Sequence, residues 1–197
     1  ARRTLPAIGN RPALVIFDAN VSESNSNMSG FSTAIKTNLP DIVTLEEASP
    51  AHRAQLASLG ALGLFPYTFE VARGDSRAFF LASRFPLLDA EEVDFEGEPL
   101  AVRTDVIVTA HTIRLWVVHT VAPVGSDWRL WSRQLSALAG MLKVDRSPAL
   151  LVVGDFNATW GNRNFRRILD LGLTDAAAAR GDPLAMTWSQ KMPLLVP

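Results

Sequence analysis

The sequence predicts an α/β domain with mixed rather than purely parallel sheets, and three observations carry that prediction. Short apolar runs alternate with segments of helical periodicity, and turn-like stretches cut other apolar runs into hairpin-sized pieces. With 197 residues, 48% hydrophobic and 20% charged, the chain is long and apolar enough to bury one sizeable core.

The elements follow in order. Ala13 to Phe17 is continuously apolar and gives way to the polar stretch Ser22 to Asn27, a pattern of buried strand then loop that delivers Asp18 and Asn20 at the strand's end. From Ser29 to Leu39, the residues Phe31, Ile35 and Leu39 stand four apart on a helical face, and Pro40 stops it before the next strand, Ile42 to Leu45. Pro50 to Leu64 reads as a helix with proline near its start and Gly60 and Gly63 loosening its end, which places His52 on an exposed helical surface. Between Tyr67 and Ala82 two strands flank Arg73-Gly74-Asp75-Ser76, and between Ala101 and Val118 two more flank Ala110-His111-Thr112. Asp127 to Leu142 repeats Leu130, Gln134, Leu138 and Leu142 at four-residue steps, a helix before the apolar run Ala149 to Val153. Asn162 to Leu171 reads as a further helix, stopped by Gly172. No internal repeat stands out. Residues 1–12 read as an extension or linker and residues 13–197 as the domain.

Composition excludes several functions. Nineteen basic and twenty acidic residues leave a formal charge of -1, which argues against broad adhesion to nucleic acid or anionic lipid while allowing a local basic groove. Without cysteine there is no disulfide, thiolate metal site or cysteine nucleophile, and either redox compartment suits the chain. No apolar run approaches the ~20 residues of a spanning helix, so stable membrane insertion of this segment is not expected. The first residue is not Met, which suits a leader or anchor upstream. Oligomeric state is left open.

The sharpest local signal is Gly154-Asp155-Phe156-Asn157 after the strand Leu150 to Val153, which sets a carboxylate and a carboxamide two residues apart at a strand's end. Such a pair can orient a water and donate to a phosphoryl oxygen. The same tetrapeptide also suits a turn in which Asp and Asn bond to their own backbone.

The company this motif keeps decides between them. Asn20 follows the first strand; Asp41-Ile42-Val43-Thr44-Leu45-Glu46-Glu47, Leu81-Ala82-Ser83-Arg84-Phe85-Pro86-Leu87, Val117-Val118-His119, Gly154-Asp155-Phe156-Asn157 and Thr187-Trp188 come after it in that order. The succession resembles the endonuclease/exonuclease/phosphatase superfamily, the DNase I-like fold, over nearly the whole chain. Asn25, five positions after Asn20, and Gly172-Leu173-Thr174-Asp175-Ala176 resemble bacterial members in particular. The resemblance implies a four-layered sandwich, two mixed β-sheets face to face with helices outside.

It also implies roles. Glu47 matches the glutamate that holds the divalent cation, with Glu46 where the family more often has glutamine, and Asn20 matches the asparagine that assists at metal and phosphate. Oxygen ligands of this kind suit Mg²⁺ or Mn²⁺. Asp155 matches the residue that orients or deprotonates the attacking water, Asn157 the one that steadies the phosphoryl group, and His119 a histidine that donates to the phosphoryl oxygens. A lone histidine after an apolar strand is more often structural; the family context reverses that for His119. Asn25 and Arg84 are candidate substrate contacts, while Ser83 is expected to be structural. His52 and His111 carry no implied role, and Trp116, Trp128, Trp131, Trp160 and Trp188 read as core and rim packing rather than base-stacking platforms.

One departure bears on activity. Members end with a strand and loop carrying Asp-His, and here the sequence stops at Lys191-Met192-Pro193-Leu194-Leu195-Val196-Pro197, so the expectation is a domain lacking that segment. A chain that continues, a second chain that completes the site, or a natural truncation would each account for it. The expected function is divalent-metal-dependent, in-line hydrolysis of a phosphoester by an Asp-activated water, in a phosphodiesterase or nuclease. Substrate classes left open are nucleic acid, phospholipid and small phosphodiesters. The alternative is a catalytically impaired member that binds a phospholigand or protein. Resemblance to members with membrane-spanning helices upstream implies an extracytoplasmic domain of a membrane-anchored bacterial protein, with a cytoplasmic protein as the other reading.

Overall fold

The computed structural model describes residues 14–182. Four strands form one sheet in the order β1 (Ile16–Asn20), β2 (Ile42–Glu46), β4 (Phe79–Ser83), β3 (Tyr67–Val71), and four form a second in the order β5 (Leu87–Phe95), β6 (Glu98–Val108), β7 (His111–His119), β8 (Leu150–Asp155). Each sheet is mixed: β1 and β2 run parallel, as do β7 and β8, and the other neighbours are antiparallel. Parallel neighbours need a crossover. Helix α1 (Ser29–Asn38) supplies it for β1 and β2, and α3 (Trp128–Val144) for β7 and β8.

Strand periodicity decides which residues meet between the sheets. On β2, Val43 and Leu45 face the helix side and pack with Ile35 of α1 and Leu56 of α2 (Pro50–Ser58). The alternate residue Ile42 joins Phe79 and Leu81 of β4 against Val102, Val106, Leu115 and Val117 of the second sheet. The outer face of that sheet packs Trp116 and Val118 on Leu135, Leu138 and Leu142 of α3 and on Ile168 of α4 (Arg163–Leu169). Helix, sheet, sheet and helix therefore make the four layers expected.

Several boundaries shift. β1 starts at Ile16 rather than at Ala13, because pairing with Ile42 begins there, and Ala13 itself lies outside the described residues. α2 ends at Ser58, with Gly60 left-handed (φ +72°) beyond it. Strand β5 was not expected at all. Its sequence, Leu-Leu-Asp-Ala-Glu-Glu-Val-Asp-Phe, is rich in acid, and register shifts between Leu88 and Glu91 and between Val93 and Asp94 break its alternation. The four-residue helix α5 (Ala176–Ala179), capped by Asp175, was also missed. Thr187, Trp188 and the C-terminal end at which an Asp-His segment would follow lie outside the described residues, as do residues 1–12. No helix among the described residues is long and apolar enough to cross a membrane.

Candidate active site

Along four strands the residues facing the space between the sheets change from apolar to polar toward one end. β1 runs Ile16, Asp18, Asn20; β2 runs Ile42, Thr44, Glu46; β7 runs Leu115, Val117, His119; β8 runs Leu151, Val153, Asp155. Because β1 and β2 are parallel, and β7 and β8 likewise, these polar ends gather together, two strands from each sheet.

Asn20 is at the centre of what they form. Its side-chain Nδ2 donates to Glu47 Oε1 (2.8 Å) and Asp155 Oδ2 (3.1 Å) and lies 3.5 Å from His119 Nε2. His119 Nε2 is 3.6 Å from Glu47 Oε1. Asn20, Glu47, His119 and Asp155 are thus brought into one cluster, all partly buried. Glu47 lies just past β2 with φ +56°, a left-handed conformation that costs a non-glycine residue on the order of 1–2 kcal/mol. That turn swings its carboxylate to Asn20, and its other oxygen accepts the Glu23 backbone N–H at 2.9 Å. Strain of this kind persists where surrounding contacts over-determine it.

The second sheet's contribution is fixed mainly by backbone. Asp155 Oδ1 accepts the Asn157 N–H (2.8 Å), leaving Oδ2 for Asn20, and Asn157, at φ +46°, donates from its amide to the Thr120 carbonyl at 2.8 Å. Thr120 Oγ1 and Trp131 Nε1 both donate to the Phe156 carbonyl, at 2.7 and 3.1 Å, and Gln134 Oε1 accepts the Val121 N–H at 2.8 Å. Gly154 is required where it stands. At φ +117°, a Cβ there would lie 2.0 Å from the Val118 carbonyl oxygen of β7.

Two further acids line the site. Asp18 Oδ2 accepts the Gly154 N–H (3.0 Å) and Oδ1 accepts the Thr44 hydroxyl (2.6 Å), which ties the first sheet to the strand bearing Asp155. Glu46 is fully buried, and neither of its carboxyl oxygens has a hydrogen-bond partner among the described residues. Burial pushes its carboxyl well above the ordinary glutamate range, and the negative charges of Asp18 and Asp155 push the same way. Burial and the neighbouring acids thus favour the protonated form of Glu46, which is close in shape to the glutamine expected at its position.

Not every expected residue joins the cluster. Arg84 follows β4 at the opposite end of the sandwich, where its guanidinium lies 3.7 Å from Asp41. Its neighbour Ser83 pairs with Ile42, four residues from Glu46, or roughly 13 Å along a strand. That placement removes Arg84 as a substrate contact in this arrangement. Ser83 Oγ accepts the Phe85 N–H, in keeping with a structural role. Asn25 spends its side chain within the loop, accepting from the Asn27 N–H and donating to Met28 Sδ, so it too stands outside the hydrogen-bonded cluster. Asn157 reaches it only through its own backbone N–H, which donates to the Asp155 carboxylate. His52 is buried, 3% exposed, rather than on an exposed surface, because it turns back to complete the cap of α2. His111, expected within the hairpin turn, instead opens β7 just after it and is exposed. Trp128 and Trp160 are exposed at 51% and 37%, while Trp116 is core.

Thr44 and Thr120 were not singled out by sequence, Asp18 was placed at the strand's end without a role, and Gln134 was read only as part of a helical face. For Asp18 and Thr44 the signal was available: each is a polar residue in phase with the inward apolar positions of its own strand.

The family model for the endonuclease/exonuclease/phosphatase family matches residues 19–193, which contain every member of the cluster. The chain belongs to that family. Among solved structures of similar fold, a 3′ phosphatase, NExo from Neisseria bound to product DNA hairpin, shares 19% identity at a TM-score of 0.67 over 83% of this chain and 73% of that one. TDP2 of D. rerio complexed with single strand DNA product gives 18% and 0.64 over 83% and 66%. Sphingomyelinase C from Streptomyces griseocarneus gives 15% and 0.58 over 82% and 70%. At these identities the likeness concerns the fold, and this chain spans 62% of a C. elegans TDP2 chain and 66% of the D. rerio one. No curated protein sequence matches it.

Among the described residues no group of three or more His, Cys, Asp or Glu side chains is arranged as a ready-made metal cage. Mg²⁺ and Mn²⁺ do not require one. Mg²⁺ usually keeps several waters and is held through one or two carboxylates plus substrate phosphate. Glu47 and Asp155 both accept from the same Asn20 amide, so two hard anionic oxygens already converge on one partial positive charge. The donor set fits such a cation.

Proposed function

We propose that this chain is a divalent-metal-dependent phosphodiesterase or nuclease acting by in-line attack of water. The observation carrying the reading is the meeting of Asn20, Glu47, His119 and Asp155 from two sheets around one amide group. Glu47 would hold the cation, with Asn20 beside it. When bound, such a cation supplies Lewis-acid polarisation of a phosphoryl oxygen and offsets its charge.

The chain's own groups do the rest. Asp155, its Oδ1 locked by the Asn157 N–H, keeps Oδ2 directed into the cluster and is set to orient or deprotonate a water. His119 donates toward the phosphoryl oxygens as their charge grows. Asn157 steadies the phosphoryl group through the turn that it fixes. The substrate class is a phosphodiester; the structural neighbours, two bound to DNA and one a sphingomyelinase, favour nucleic-acid or phospholipid esters.

The test is hydrolysis of bis-p-nitrophenyl phosphate with and without Mn²⁺ or Mg²⁺, in this chain and in Asp155→Ala. Metal-dependent turnover that falls about 10²–10⁴-fold in the variant supports the proposal. Full metal-dependent turnover in Asp155→Ala sinks the assignment. Absence of turnover in both favours a family member that binds a phospholigand without hydrolysing it.

A further inference from the structure

We infer that His52 and Gln55, one turn apart on α2, are positioning residues for Glu47 and act through the loop joining β1 to α1. The inference rests on the reading of Glu47 as the cation's carboxylate. That loop is polar, and Ser22, Glu23 and Ser24 are exposed, so its backbone order must come from a few specific anchors. One anchor is at its start, where the Ser22 N–H donates to Asn20 Oδ1 at 2.9 Å and the Asn25 N–H to the Ser22 carbonyl at 2.9 Å. The others come from α2. His52 Nε2 lies 2.7 Å from the Asn25 carbonyl oxygen, and the Met28 N–H donates to Gln55 Oε1 at 3.2 Å, with the Met28 side chain wholly buried.

The tautomer of His52 follows from its partners. The Ser49 N–H donates to Nδ1 at 3.2 Å, so Nδ1 carries no proton and Nε2–H is the donor to Asn25. Capping α2 uses only the Nδ1 side of the ring. The Nε2 side is directed out of the helix and bridges to the loop. Between the two sets of anchors stands Glu23, whose N–H at 2.9 Å from Glu47 Oε2 is the loop's contact with the carboxylate. Holding Asn25 and Met28 holds Glu23, and Glu23 holds one of the two oxygens of Glu47, the other being held by Asn20. Partners at this remove from a metal typically change its affinity by 10–100-fold when lost. A role limited to capping the helix would lower stability and leave the affinity of a folded variant unchanged.

The experiment compares the full chain with His52→Phe, His52→Gln and Gln55→Leu. Mn²⁺ is titrated without substrate, free ion being followed by EPR, and amide hydrogen exchange of residues 21–28 is measured without metal. His52→Phe keeps the ring's volume and loses both hydrogen bonds, so its Kd for Mn²⁺ rises about tenfold or more and exchange in the loop accelerates. His52→Gln can still donate to the Asn25 carbonyl and recovers most of both. Unchanged affinity and exchange in folded His52→Phe overturn the inference. If that variant does not fold, Gln55→Leu leaves the Ser49–His52 cap intact and must shift both readouts in the same direction; no shift overturns it equally. A wild-type chain that binds no Mn²⁺ would refute the reading of Glu47 itself, and loop exchange alone would then decide whether His52 holds the loop.

Discussion

Asp145, where α3 hands the chain to β8, and Glu46, at the end of β2 that bears the candidate site, are both carboxylic acids with almost no exposed surface, 4% for the Asp145 side chain and 0% for Glu46. Burial pushes the pKa of each upward, yet they end on opposite sides of the ordinary carboxylate range. Asp145 ends low despite burial, because the Ser147 hydroxyl (2.7 Å) and N–H (3.0 Å), the Trp116 indole N–H (3.0 Å) and the Arg114 guanidinium (3.4 Å) all favour its charge. Glu46 ends high because it has no such donor and has Asp18 and Asp155 nearby. The far end of the sandwich matches acid with base, as Arg114 with Asp105 and Arg84 with Asp41 also do. The end bearing the candidate site crowds Asp18, Glu46, Glu47 and Asp155 against one another. The same fold balances its charges elsewhere, so the crowding at this end supports the proposal that an external positive charge binds there.

The largest effect that would separate the two ends is the uncoupling of stability from activity in Glu47→Gln. Removing a negative charge from the crowded end should leave thermal stability unchanged or raised. If Glu47 holds the cation as proposed, metal-dependent hydrolysis should fall by about 10²-fold or more, since a bound cation can supply several kcal/mol of transition-state stabilisation. Unfolding curves and initial rates at fixed Mn²⁺ check both halves. A variant that lost stability and kept its rate would place Glu47 among the structural acids.

Next in size is Gly154→Ala. The added methyl would meet the β7 backbone at Val118, which cannot move aside cheaply, and φ +117° is disfavoured for any side chain. Overpacking costs typically 1–3 kcal/mol, so urea unfolding should show a loss of about that size. Activity should fall too, because β8 carries Asp155 one residue on. A neutral outcome would mean that the approach of β7 and β8 is looser than the structure has it.

Glu46→Gln tests the crowding itself. Native Glu46 holds its proton more tightly than the unfolded chain, whose reference pKa is 4.5, so above that pH the folded state binds more protons. Its contribution to stability is present below pH 4.5 and is lost as pH rises toward the raised folded value. Glutamine keeps the shape without the proton. In EDTA the variant should match the wild type near pH 4.5 and exceed it at pH 8 by about 0.5–2 kcal/mol, the usual scale of stabilising changes. An advantage that grew toward acid would contradict the assignment.

The sequence was most legible where one element carried its own evidence. Apolar runs and four-residue steps located β1, β2, β8, α1 and α3 to within a few residues, and ordered motifs pointed to Asn20, Glu47, His119 and Asp155. It was least legible where pairing decides. β5 is an acidic strand that exists because β6 offers it a partner, and Arg103–Glu91 and Arg73–Glu92 ion pairs offset its charge. His52 looked exposed because a helical pattern does not reveal that a loop will lie across the helix's first turn. Arg84 looked like a phosphate contact because its motif matched, yet the antiparallel direction of β4 relative to β2 carries it to the wrong end.

The smallest expected effect belongs to the balanced end. Arg114 pairs with Asp105 through two nitrogens, at 2.5 and 2.9 Å, and reaches Asp145, but its side chain keeps 23% of its surface exposed. Pairs with that much solvent contribute about 0–1 kcal/mol and weaken with salt. Arg114→Met preserves most of the stem's packing, and Asp145 keeps its bonds from Trp116 and Ser147. The variant should lose about 0.5 kcal/mol at low salt, less in 0.5 M NaCl, and should hydrolyse substrate at the wild-type rate. A change in rate would mean that the far end communicates with the cluster through β7, which carries both Arg114 and His119. Salt-dependent stability with constant rate would leave charge balance as the whole of its role.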